Sequence, residues 1–137
     1  MGTDVPEAQS GDVAFRLSWR AESGRLTGEL VATNVCDHAV RLSGKPGLTP
    51  IGLDGEPLAA ETIVTLELRQ PGFAELAPGE RARTPVGWAG WHGPPASGTV
   101  LIMWAGGKTE VTAHGPVQPE ADGPATNLWT SWFDRIE

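Results

Sequence analysis

Eighteen glycines and twelve prolines are spread along a chain of 137 residues, so a backbone-breaking position recurs every few residues. Proline removes an amide donor and clashes inside a helix, and glycine carries an entropic cost there. A helix of three or more turns therefore has almost nowhere to form, and short strands joined by tight turns remain. The length suits one domain, which buries roughly two thirds of its unfolded surface and needs no covalent staple.

The clearest strand signal is DVAFRLSWR, residues 12–20, with Val13, Phe15, Leu17 and Trp19 on one face and Ala14, Arg16, Ser18 and Arg20 on the other. LTGELVATNV (26–35) reads as a second strand that ends at Asn34, whose side chain can bond local backbone as the chain turns. A short strand over 39–42, the segment LTPIGL after the turn Gly44-Lys45-Pro46-Gly47, a reversal at Asp54-Gly55 and the strand TIVTLEL (62–68) follow. Pro78-Gly79 fits a type II turn, because Pro presets the first central angle and Gly accepts the positive φ of the second. Residues 81–88 then rise into Trp88, with Ala82, Thr84, Val86 and Trp88 facing inward. TVLIMWA (99–105) reads as a central strand, turned at Gly106-Gly107 into a hairpin with KTEVTAH. Gly115 to Pro124 is an acidic, proline-rich loop, and LWTSWF (128–133) resumes as an edge strand or one helical turn. About eight short strands without intervening helices predict an all-β, antiparallel, Ig-like sandwich of seven to nine strands over residues 12–137, preceded by a flexible segment, 1–11.

A formal charge of −7 with no Lys/Arg cluster argues against nucleic acid as a partner. No stretch approaches the ~20 apolar residues of a membrane span, and the first residues lack the basic end and apolar run of an export signal. Cys36 is the only cysteine, so an intrachain disulfide and a cage built of cysteines are both excluded. It reads as a half-buried small apolar residue.

The order TNV, a short strand, SGKPGL, LDGEPL, ELAPGERA and a strand closing on Trp88 resembles a family of actinobacterial Ig-like domains of unknown function, over roughly residues 26–134. The resemblance implies a module of secreted proteins or lipoproteins, hence an extracytoplasmic, cell-envelope location, and implies no catalytic residues. Family members carry cysteines where this chain looks to have Val40, His92 and about Glu120, so the disulfide framework is absent and a reducing, cytoplasmic location is also permitted. The TN strand end, the DG turn and the L-x-PGE turn are similar as well to small bacterial Ig-like inhibitors of intracellular serine proteases. That resemblance implies a cytoplasmic regulatory module, with GLDGEPLAAET as the one long loop to present to a protease.

The binding surface is expected in the loop Ala89 to Gly98, where Trp91, His92, Pro94 and Pro95 combine an aromatic, an imidazole and two prolines that lower the ordering cost of binding. If the strand continued past Trp88, Trp91 would point to the opposite face and cover a sandwich edge or lie open. Trp129 and Trp132 share the same spacing and are a second aromatic candidate, sharing a face only in a helical turn. Aromatic platforms also hold sugar faces, although six tryptophans with no tyrosine is an odd composition for such a module. His38, His92 and His114, with Met103 as a soft fourth, are the donors for an open zinc or copper site, but no spacing brings them together and both His-Gly-Pro segments read as exposed turns. No serine, threonine or cysteine stands in a strained glycine elbow with a base. The expected function is thus a non-catalytic binding or interaction module for a protein or surface ligand, without cofactor, with a homodimer through a free sheet edge as a further expectation.

Overall fold

The computed structural model describes residues 5–58, 72–91, 94–119 and 128–136, and the backbone alone of 61–64 and 127. Among these residues the chain is all-β. Its strands are β1 (Val13–Glu22), β2 (Arg25–Asn34), β3 (Val40–Ser43), β4 (Gly47–Gly52), β5 (Glu61–Val64), β6 (Phe73–Leu76), β7 (Arg81–Trp88), β8 (Ala96–Trp104), β9 (Gly107–Thr112), β10 (Asn127–Thr130) and β11 (Asp134–Ile136). The second half of the expected strand 62–68 and the loop from 120 lie outside the described residues.

Sequence alternation becomes layer structure directly. In β1, Val13, Leu17 and Trp19 are buried while Ala14, Arg16 and Arg20 are exposed. In β7 the whole set Ala82, Thr84, Val86 and Trp88 is buried. The largest sheet runs β1-β2-β7-β10-β5, with β11 also on β7. A second sheet is β4-β8-β9, and β3 pairs with β6. All pairs are antiparallel except β10 with β5. One apolar core joins the three sheets through Leu17, Leu30, Leu42, Leu76, Ile102 and Leu128.

Ser23 (φ 50°) and Gly24 (φ 79°) connect β1 to β2 with the two positive-φ residues that match the twist of a two-residue hairpin. Between the sheets, β1 is tied to the end of β9. Its Trp19 amide donates to the His114 carbonyl and the His114 amide to the Leu17 carbonyl, each at 2.8 Å. Gly115 makes that approach feasible: at φ 108° a Cβ would sit 2.2 Å from the Trp19 carbonyl oxygen. The edge of β1 is therefore covered, which removes part of a template for strand addition.

The described part of the N-terminal segment is bonded to the fold. From Val5 onward it packs on the fold, because its backbone bonds to β3 and its side chains find buried partners. The Ala8 amide donates to the Arg41 carbonyl and the Arg41 amide to the Pro6 carbonyl. The Glu7 carboxylate accepts from the Ser43 amide at 2.9 Å, and Ala8, fully buried, takes the Trp104 indole N–H on its carbonyl at 2.8 Å. The β8–β9 turn falls at Ala105-Gly106, one residue before the expected Gly106-Gly107, and supplies the room, since a Cβ on Gly106 would meet the Ala8 carbonyl oxygen at 1.9 Å.

The C-terminal LWTSWF is the end of β10 followed by a corner over 131–133 that leads into β11; no helical turn forms. Thr84 fixes the corner by donating its hydroxyl to the Ser131 carbonyl (2.8 Å) and accepting the Ser131 amide (3.0 Å). A fully buried hydroxyl satisfied twice avoids the 1–3 kcal/mol that an orphaned polar group costs.

Candidate functional site

Strand β7 does not run on beyond Trp88. Gly90, at φ 109°, turns the chain back, so the odd spacing no longer places Trp91 on the opposite face. The Trp91 ring packs against Trp88 at 6.1 Å between centroids, tilted by 50°, and is only 5% exposed. Its indole N–H donates to the Pro94 carbonyl at 2.8 Å. Trp91 is thus buried beneath the loop and anchors it. Pro94 and Pro95 are exposed on the loop it anchors, and His92 lies outside the described residues.

The register places this loop at a definite end of the fold, because Leu26 pairs with Trp88 and so sets the β1–β2 hairpin beside it. At that end Ala21, Ser23, Gly24 and Arg25 face Pro116, Gln118 and Pro119 across a groove of about 440 Å³. The Gln118 side-chain oxygen accepts from the Ala96 amide at 3.4 Å, linking the groove wall to the base of the Pro94-Pro95 loop. A larger recess, about 560 Å³, lies on the β1-β2-β7 sheet between Ser18, Arg20, Thr27, Glu29, Arg83 and Asp134. Its Arg83–Glu29 contact is 3.8 Å long between half-exposed side chains, and such pairs contribute about 0–1 kcal/mol.

The two late tryptophans are committed to different neighbours. Trp129 lies on Gly87, where a Cβ would come within 2.0 Å of its Nε1. Trp132 stands 5.1 Å from the Lys45 ammonium, within cation–π range. Both remain partly exposed, yet the corner at Ser131 separates their faces.

The loop that the inhibitor-like reading needs extended is closed where it is described. The Gly52 amide donates to the Glu56 carbonyl, the Leu58 amide to the Pro50 carbonyl, and Asp54 Oδ1 accepts from the Glu56 amide. Leu53, 70% exposed, stands out from this turn.

Of the histidines weighed as ligands, His114 bonds the β1 edge through its backbone, its side chain is exposed, and it is not grouped with the other donors among the described residues. His38 instead meets Cys36 and Asp12, the latter a residue that sequence reasoning did not select. The only local signal for that group is the Cys-x-His spacing directly after the turn at Asn34.

No family model, curated protein or solved structure matches the chain.

Proposed function

We propose that the chain is an Ig-like β-sandwich with a non-catalytic binding role in the cell envelope, and that it meets its partner through the end of the fold carrying Pro94, Pro95 and the adjoining groove. The order β1-β2-β7 corresponds to the A-B-E strands of an Ig sandwich and β4-β8-β9 to C-F-G, with β10 where strand D would flank E. The β3–β6 pair, β5 with its parallel pairing to β10, and the C-terminal β11 are additions to that plan.

The observation that carries the binding reading is the Trp91 anchor. A buried indole holds the Pro94 carbonyl from inside while two prolines stay exposed outside. The two prolines have preset φ angles and so lose less conformational freedom when a partner docks, which lets contact area there convert to affinity more efficiently than on a loose segment. The occupant is a protein or other surface ligand that reads a rigid apolar ridge beside a polar groove.

The test is site-resolved photocrosslinking in the native host, with a crosslinking residue placed at Pro95, Ser23, Pro116 or, as a control on β9, Lys108. One common adduct from the first three positions and none from Lys108 is expected; equal labelling from all four would refute the assignment. Fractionation of the same cells, with the mature N-terminus read by mass spectrometry, tests the location.

A further inference from the structure

At the opposite end of β2 from the Trp91 loop, we propose a mononuclear site for a borderline-soft divalent cation, Zn²⁺, formed by the Cys36 thiolate, the His38 Nε2 and the Asp12 carboxylate. The donor atoms of these three residues lie within 4.8 Å of one another. Two come from the β2–β3 connection and the third from the residue preceding β1, so the convergence is a product of the fold.

The geometry is close to what the ion needs. With Zn–S near 2.3 Å and Zn–N near 2.0 Å, a tetrahedral angle sets sulfur and nitrogen roughly 3.5 Å apart. The Cys36 Sγ to His38 Nε2 distance is 3.9 Å. Closing that gap takes a small rotation of an imidazole that is half exposed.

Two further features suit a ligand set. His38 Nδ1 lies 2.9 Å from the Asp37 carboxylate. That contact puts a proton on Nδ1 and leaves the Nε2 lone pair facing Cys36, the carboxylate–histidine arrangement that orients imidazole ligands. Asn34 holds the connection itself: its Nδ2 donates to the carbonyls of His38 and Leu76, and its Oδ1 accepts from the Cys36 amide, each at 2.9 Å. The ligand-bearing backbone is thus fixed by a side chain 1% exposed, while His38 is exposed and Asp12 and Cys36 are half-buried.

Binding ionises the thiol, moves its proton to solvent and breaks the 3.2 Å contact of Cys36 Sγ with the His38 carbonyl. Three protein ligands leave the fourth position for water or an external donor, as in exchangeable zinc sites.

The test is competition of the reduced, full-length chain with a chromophoric chelator for Zn²⁺, paralleled by absorption spectra with Co²⁺. One equivalent per chain is expected, with a thiolate-to-cobalt charge-transfer band and the intense visible bands of four-coordinate cobalt. Cys36→Ser should abolish the charge-transfer band, and His38→Gln and Asp12→Asn should each weaken Zn²⁺ binding at least tenfold. Asp37→Asn, which touches no metal, should weaken it roughly 10–100-fold. Because Asn34 grips the Cys36 amide and not its sulfur, Cys36→Ser keeps the fold, which circular dichroism verifies. Absence of stoichiometric Zn²⁺ uptake by the folded wild type, or uptake unchanged in both Cys36→Ser and His38→Gln, would overturn the proposal.

Discussion

At the residue scale the fold depends on a few positions where one atom has no room. Gly115 combines a φ of 108° with a carbonyl oxygen 2.2 Å from where a Cβ would stand. Gly115→Ala should therefore lower stability by about 2–4 kcal/mol, read by urea denaturation, because both the dihedral and the clash must be relieved at the β1 edge. Asn34→Ala removes three hydrogen bonds from a buried side chain and leaves the groups it served without that partner. A loss of about 2–4 kcal/mol is expected in the same experiment. Asp37 is held below the usual carboxylate range, first by the hydrogen bond from His38. A carboxyl whose folded pKa is depressed stabilises above its unfolded value and loses that contribution as pH falls through the folded one. The side chain is fully exposed, so the effect on stability is slight. An NMR titration is the sensitive check: His38→Gln should move the Asp37 carboxyl titration upward.

Whether an element was legible in the sequence followed the length of its pattern. The unbroken alternation of β1 and β7 and the Pro78-Gly79 turn appear where the residues predict them, with Gly79 at φ 83°. β6 and β11, four and three residues long, are too short to carry a period and were not anticipated. The Trp91 loop shows a different limit. Its reversal depends on Gly90 and on a tertiary contact with Trp88, neither of which spacing reveals. The Asp12–Cys36–His38 group was hidden because a whole hairpin separates its members, and pairing register alone unites Val13 with Asn34. The loop also offers a graded test. Trp91→Phe keeps an aromatic ring on Trp88 but removes the N–H to Pro94 and should cost about 1 kcal/mol. Trp91→Ala leaves a cavity and should cost about 3–5 kcal/mol in equilibrium unfolding.

Considered as a whole molecule, the fold is closed by its first and last described segments. Val5–Gly11 lies against β3 and the β8–β9 turn, and β10 and β11 continue the sheet beyond β7. Composition marks the first segment only as polar and loop-like, since its anchoring rests on Trp104, Arg41 and Ser43, all distant in sequence. Deleting residues 1–11 should accordingly expose Trp104 and leave its indole N–H without the Ala8 carbonyl. The melting temperature should fall by several degrees, as a loss of about 2 kcal/mol does in a domain of this size. A melting curve unchanged by the deletion would show the segment to be dispensable. The Trp88–Trp91 pair, two indoles 6.1 Å apart and inclined at 50°, has a spectroscopic consequence. Transition dipoles at that separation couple, so the folded protein should show an exciton couplet in its ultraviolet circular dichroism that Trp91→Phe extinguishes. Any partner that shifts the proline ridge would alter the signal, which makes the protein an unlabelled optical sensor of its own docking end.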